Sequence, residues 1–146
     1  QRIRLILKAK LCLYFNQQKR DHLRERVEAL KSRILVGVTS STFVQASASL
    51  PPDPVVKALH QAFIDKEVLD ICYQREDLMV TERRIEPHYL LLKYPVWYVI
   101  AFDHLRGEPR TLRCDRIREA RLTGARFTLR PKSQFEHIWT EGGLLA

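Results

Sequence analysis

Residues 82–117 read ERRIEPHYLLLKYPVWYVIAFDHLRGEPRTLRCDRI, and this stretch decides the fold. Strand-like apolar runs extend from Tyr89 to Lys93 and from Val96 to Phe102, and the Tyr94-Pro95 bend separates them. After a turn, a further strand is predicted from Arg110 to Cys114. Because arginines follow an aromatic pair here, the stretch indicates a small β-structure that presents cations and aromatic rings to an anionic ligand.

The strand pattern continues on both sides of this stretch. Upstream, strands are predicted from Val68 to Tyr73 and from Met79 to Glu86, and downstream one is predicted from Ile117 to Leu122. Short strands at a spacing of roughly 8–12 residues favour a small closed sheet. We therefore expect an α+β protein in which N-terminal helices precede a small Sm-like or SH3-like β-barrel.

The region before the strands is predicted to be mainly helical. Helices are expected from Arg2 to Phe15, from Lys19 to Leu35 and from Asp53 to about Asp65. The first is apolar around much of its circumference, so we expect it to be buried against a partner helix or another domain. A strand from Ile34 to Val38 is an alternative for the end of the second helix. The second helix carries one apolar stripe, formed by Leu23, Val27, Leu30 and Ile34.

The positive charge of the chain is unevenly distributed. The net charge of the 146 residues is +8. Residues 1–35 hold ten basic residues against three acidic ones, and residues 110–131 hold seven arginines against two acidic residues. Two separate basic segments favour binding to a polyanion, and an ordinary solvated surface is the alternative.

Composition also bears on the compartment. No apolar run approaches the roughly 18 residues that a membrane-spanning helix needs, so we expect no membrane partner. Cys12, Cys72 and Cys114 are odd in number and widely spaced, which favours buried reduced thiols in a cytoplasmic protein. A disulfide between two of them is the alternative.

The arginines and aromatic residues of the quoted stretch are the candidate binding groups. Arg110, Arg113 and Arg116 offer planar forks of donors that match a phosphate, although Asp103 and Asp115 could instead pair with them structurally. Arg110 and Arg113 are expected on opposite faces of their strand because their numbers differ by an odd number. A bulge near Cys114-Asp115 would bring Arg113 and Arg116 closer.

Trp97 and Tyr98 should also lie on opposite faces, so that one fills the interior and the other faces a groove; purely structural roles for both are the alternative. His88 could bind a phosphate when it is protonated. No nucleophile, glycine-rich phosphate loop or metal-ligand spacing accompanies these residues. We therefore expect neither an enzyme nor a cofactor nor a metal.

Three motifs resemble the WYL-domain family of bacterial transcriptional regulators. Arg83-Arg84-Ile85-Glu86-Pro87 is similar to the family's Arg-x-Val-x-Pro strand, and Trp97-Tyr98-Val99 is similar to the tripeptide that names it. Residues 110–117, RTLRCDRI, are similar to Arg-Thr-Phe-Arg-x-Asp-Arg-Ile. Val99, Leu112 and Cys114 depart mildly from these patterns. The resemblance covers about residues 54–131.

The resemblance implies an Sm-like barrel that senses a ligand in a regulator whose DNA contacts come from a helix-turn-helix domain missing here. It implies a ligand groove formed by Arg83, His88, Tyr98, Arg110, Arg113 and Arg116. We expect residues 1–52 to form a helical linker or dimerisation region, residues 53–131 the barrel, and residues 132–146 the start of a connection to a C-terminal extension.

The expected function is binding of single-stranded nucleic acid or a nucleotide by a homodimeric regulator. The alternative is a dimerisation or protein-interaction module that has no ligand of its own. An enzyme that acts on nucleic acid would need a catalytic constellation that the sequence does not offer.

Overall fold

In the computed structural model, residues 2–37 and 51–141 are described, and the chain divides into two compact units, Gln1–Ser32 and Arg33–Ala146. The first unit is one helix, α1 (Arg2–Lys31), where the sequence predicted two. The polar residues between the two predicted helices do not break a helix, and the Gln17 side chain bonds to Asp21 one turn later. The prediction of a boundary between two helices at these polar residues was therefore wrong.

The second unit combines a sheet with short helices. Its elements are β1 (Ile34–Val36), α2 (Asp53–Asp65), β2 (Glu67–Gln74), β3 (Val80–Lys93), β4 (Val96–Asp103), β5 (Glu108–Arg113), β6 (Ile117–Arg126) and α3 (Glu136–Glu141), with 3₁₀ turns at Cys114–Arg116 and Lys132–Gln134. The predicted strand at Ile34 to Val38 is therefore present as β1, and Val38 lies outside the described residues.

The sheet is open, so the predicted Sm-like barrel is not confirmed. The strand order is β5-β4-β3-β2-β6 with antiparallel pairing, and β1 lies parallel to the end of β3. Among the described strands, no ladder joins the β5 edge to the β6 edge.

The sheet is nevertheless strongly curled. In a flat sheet, four strand spacings would separate its edges by roughly 19 Å. The chain passes from the end of β5 to the start of β6 in four residue steps, which span at most about 14 Å. The two edges therefore approach each other at this end without pairing.

β3 runs unbroken through Pro87, where the sequence predicted two strands. The register against β4 shifts between Pro87 and Tyr89, which marks an irregularity of the bulge type. Proline has no N–H group to donate, and a bulge is one of the few places in a sheet that tolerates this loss. The irregularity therefore lets the chain continue as one strand.

The core of the second unit includes residues from outside the strands. α2 buries Val55, Leu59, Ala62 and Phe63. Phe135, between the last 3₁₀ turn and α3, is fully buried in a cluster with Leu91 and Ile100. The segment that follows the sheet is therefore part of its hydrophobic core.

Arg33, the first residue of the second unit, is buried and bonds to backbone carbonyl groups of the interior. Its guanidinium donates to the carbonyl oxygens of His88, Phe63 and Pro87 at 2.8–2.9 Å and lies 4.1 Å from the centroid of the Phe63 ring. Burial lowers the pKa of Arg33 to about 10. Three accepting carbonyl groups compensate for the removal of this cation from water.

Candidate functional site

Tyr98 and Arg113 face each other across β4 and β5. They are direct antiparallel partners, so their side chains lie on the same face of the sheet. Both are half-buried, and Tyr98 packs on the core cluster around Leu91 and Phe135. Trp97 lies on the opposite face and is exposed. An aromatic ring and a guanidinium are thus adjacent on one face, as a stacking and phosphate-binding pair requires.

The Arg113 guanidinium is already engaged by Asp115. Nε and one terminal nitrogen lie 3.0 and 2.7 Å from the two carboxylate oxygens, and these hydrogen bonds raise the pKa of Arg113. The backbone N–H of Arg113 donates to the Tyr73 hydroxyl at 3.0 Å. Arg113 is therefore held rigidly, and its charge is partly neutralised.

Arg116 lies in the 3₁₀ turn that follows β5 and is less firmly held. Its side chain is 27% exposed and meets Glu76 at 3.5 Å, while the Glu76 side chain is 84% exposed. A pair of this length with so exposed a partner contributes little. Of Arg113 and Arg116, Arg116 is therefore the more available for an anionic ligand.

Arg110 lies on the face opposite Arg113. It is the partner of Ala101 in the β4–β5 ladder, as the odd spacing predicts. One terminal nitrogen bonds to Glu108 at 3.0 Å, and the buried Nε has no hydrogen-bond partner among the described residues. A ligand reaches both Arg110 and Arg113 only around the β5 edge of the sheet.

Arg83 is buried in the interior. It donates to the Asp103 carboxylate at 2.9 Å and to the Thr81 hydroxyl at 3.1 Å. Its guanidinium lies 5.3 Å from the ring centroid of Tyr73, whose hydroxyl accepts the N–H of Arg113. Arg83 therefore supports the candidate surface from beneath, and its charge is satisfied within the fold.

His88 is also buried, and both of its ring nitrogens are used. Nε2 accepts the backbone N–H of Arg130 at 3.0 Å, so the proton is on Nδ1, which donates to the Glu86 carbonyl at 2.8 Å. Phe127 and Phe135 pack against the ring. Burial lowers the pKa of His88, so the ring is neutral near pH 7.

The six predicted ligand residues thus separate into groups. Tyr98 and Arg113 lie side by side, and Arg116 follows three residues later in the chain. Arg110 lies on the other face of the sheet, and Arg83 and His88 are buried. Binding of a ligand by these residues stays a prediction.

Sequence reasoning missed a charged cleft of about 810 Å³ beside β2, β3, β6 and the first turn of α2. It is lined in part by Asp70, Cys72, Arg84, Glu119 and Arg121. The signal in the sequence was the alternation of charged residues along the three strands. Only the strand register shows which of these charged side chains are neighbours.

Two kinds of site are absent from the described parts of the chain. Residues 2–37 and 51–141 contain no group of three or more His, Cys, Asp or Glu side chains that could hold a metal ion. None of the helices within these ranges combines the length and the apolar character needed to cross a membrane. Cys72 and Cys114 are free thiols, and burial raises the pKa of Cys114 to about 12.

Comparison with known proteins bears on the family. The family model of the WYL domain matches residues 54–122. Among solved structures, the chain is similar to proteasome accessory factor B/C (PafBC) of Arthrobacter aurescens, with 26% sequence identity over 56% of this chain and a TM-score of 0.49. The matched region is 13% of the PafBC chain. The family match confirms the resemblance carried by the three sequence motifs.

Proposed function

Because residues 54–122 of this chain are a WYL domain, we propose that the chain is the ligand-sensing part of a cytoplasmic bacterial transcriptional regulator. In this proposal a separate helix-turn-helix domain of the regulator binds the operator DNA. A ligand on the WYL domain changes the fraction of molecules that are competent to bind DNA.

The proposed ligand is a single-stranded nucleic acid or a nucleotide. The observation that carries this proposal is the direct pairing of Tyr98 with Arg113 on one face of the sheet, with Arg116 in the next turn. Stacking of a base on an aromatic ring contributes about 1–3 kcal/mol and tolerates any sequence. Arginine forks match phosphate oxygens in geometry and charge.

The other predicted residues have supporting or peripheral roles in this proposal. Arg83 orients Tyr73 beneath Arg113, and His88 packs the segment after β6 against β3. Arg110 contacts only a ligand long enough to pass around the β5 edge. A mononucleotide would therefore be insensitive to Arg110, whereas an oligonucleotide would lose affinity without it.

The experiment is fluorescence anisotropy of the full chain with a labelled short single-stranded DNA at low and moderate salt. Each phosphate contact contributes about 0.7 to the slope of log K against log salt for a single strand. Arg113→Ala/Arg116→Ala should therefore lower the slope by about 1.4 and weaken binding. Arg116→Ala should cost more affinity than Arg113→Ala, because Asp115 already engages Arg113.

The matched control is Arg106→Ala/Arg126→Ala, which removes the same charge from exposed positions elsewhere in the second unit. It should change binding much less than the Arg113/Arg116 variant. Equal losses in both variants would mean that only net charge matters, and the groove would be rejected. Binding to nucleotides but not to DNA or RNA would restrict the proposal to a small ligand.

A second candidate function, dimerisation through α1, is favoured by a separate observation. Leu23 and Val27 of its apolar stripe are 48% and 46% exposed. The stripe is flanked by like charges on Arg24 and Arg26, and by Lys31, which pairs with Glu28 at 3.6 Å. Two such stripes would repel each other at low salt, so dimerisation should strengthen as salt is raised.

This salt dependence is opposite in sign to that of nucleic-acid binding. Sedimentation velocity of the full chain across a salt series measures it directly, and Val27→Glu should abolish the dimer. A chain that stays monomeric at micromolar concentration at every salt concentration would exclude this second function.

A further inference from the structure

The cleft beside α2 contains two rows of charged side chains on one face of the sheet. In the first row, Asp70 of β2 is paired with Arg84 of β3 and Arg121 of β6. In the second row, Cys72 of β2 is paired with Glu82 and Glu119 of the same two strands. Because Asp70 and Cys72 are two residues apart, the rows lie about 7 Å from each other.

The first row carries an excess of positive charge. Arg84 donates to both oxygens of the Asp70 carboxylate at 2.8 and 3.1 Å, and Arg121 reaches the second oxygen at 3.3 Å. The Arg84 and Arg121 side chains are 56% and 81% exposed. One carboxylate thus orients two accessible guanidinium groups and neutralises the charge of only one.

The second row carries an excess of negative charge. The Cys72 thiol donates to Glu119 at 3.7 Å, and both burial and that carboxylate raise the pKa of Cys72, which keeps the thiol neutral. Within the described residues, neither Glu82 nor Glu119 forms an ion pair. Two carboxylates therefore face the cleft without an ion-pair partner in the described part of the chain, and Arg118, which lines the same cleft, donates instead to the Gln74 side chain at 2.7 Å.

The first turn of α2 forms a less polar wall beside these rows. Pro52, Pro54 and the buried Val55 line the same cleft. They offer contact surface for methylene groups but no charged group. The cleft therefore combines a cationic end, an anionic end and an apolar side.

We propose that this cleft binds a zwitterionic small molecule whose anionic group contacts Arg84 and Arg121 and whose ammonium group contacts Glu82 and Glu119. An aliphatic segment between the two charges packs against the prolines at the start of α2. The row spacing selects a ligand whose charges are separated by several carbon atoms. This site is separate from the surface around Tyr98 and Arg113 and does not depend on it.

The test is a titration of the full chain with ε-aminocaproate, followed by the backbone amide signals of β2, β3 and β6 in two-dimensional NMR spectra. Caproate and hexylamine, each of which carries one of the two charges, serve as probes of matched length. ε-Aminocaproate should bind saturably and at least about tenfold more tightly than either. Equal binding of all three compounds would overturn the proposal.

Two charge-removing variants locate the site. Arg84→Gln/Arg121→Gln and Glu82→Gln/Glu119→Gln should each weaken ε-aminocaproate binding about tenfold or more. These positions are exposed, so the fold should be retained, and circular dichroism checks this. Arg106→Gln/Arg126→Gln should leave the affinity unchanged, and unchanged affinity in the first two variants would reject the site.

One further variant separates this proposal from the nucleic-acid groove. Arg113→Ala/Arg116→Ala should retain ε-aminocaproate binding while it loses DNA binding. Loss of both in that variant would mean that the two sites are not separate, which would overturn the present inference.

Discussion

Arg83 and Arg84 are neighbours in the chain, yet the same substitution should destabilise the protein far more at Arg83 than at Arg84. Arg83 forms an ion pair with Asp103 in which the two side chains are 4% and 0% exposed. Arg84 pairs with Asp70 on the other face of the strand, where it is largely exposed. Arg83→Met and Arg84→Met therefore compare a buried ion pair with an exposed one in the same strand.

The expected magnitudes follow from the cost of an uncompensated buried charge. Arg83→Met leaves the Asp103 carboxylate in the interior, where the backbone N–H of Leu105 is its remaining donor among the described residues, at 2.9 Å. Breaking a buried pair from one side costs about 3–5 kcal/mol, whereas an exposed pair contributes at most about 1 kcal/mol. At about 4 °C per kcal/mol for a unit of this size, Tm should fall by roughly 12–20 °C for Arg83→Met.

Urea unfolding followed by circular dichroism measures both free energies, and the double variant Arg83→Met/Asp103→Asn measures the coupling. The double variant should be more stable than Arg83→Met, because no full charge is left buried. If Arg83→Met cost less than about 1 kcal/mol but abolished DNA binding, Arg83 would be a ligand residue and the structural role argued here would be wrong.

Three further predictions concern Phe135, Glu86 and Cys114. Phe135→Ala should destabilise the second unit by about 3–5 kcal/mol in urea unfolding, because its ring is fully buried; a cost below about 1 kcal/mol would contradict this core role. Burial by itself raises the pKa of Glu86, but hydrogen bonds from Arg130 and His104 outweigh it and hold that pKa below the ordinary value of 4.5. The contribution of Glu86 is thus complete above that pH and is lost as the pH falls through the lowered pKa, so Glu86→Gln should flatten the acid limb of a stability–pH profile. Cys114 should resist alkylation near neutral pH until the protein unfolds, and rapid modification of the native protein would contradict its raised pKa.

Much of the strand arrangement was predictable because strand composition and turn residues are local signals. β2, β4 and β5 lie within a few residues of their predicted positions. The local signal failed where tertiary context overrides it. Pro87 predicted a break, but an irregularity in the pairing with β4 lets β3 continue through it.

The surroundings of the candidate binding residues were predictable only in part. Because the numbers of Arg110 and Arg113 differ by an odd number, the sequence alone predicts that their side chains lie on opposite faces of the strand. It does not reveal that Asp103 neutralises Arg83 in the interior, or that both ring nitrogens of His88 are satisfied by backbone groups. Asp103 lies 20 residues from Arg83, and Arg130 lies 42 residues from His88, so no spacing rule connects these partners.

The sequence by itself indicated the resemblance to the WYL domain, through three short motifs, and the positions of most of the strands, through alternation and turn chemistry. Only the tertiary structure decided which charges are available. The register of β2 between β3 and β6 gathers Arg84, Asp70 and Arg121 into one row, although 51 residues separate Asp70 from Arg121. A one-residue shift in that register would turn each side chain to the other face, which is why the cleft could not be foreseen.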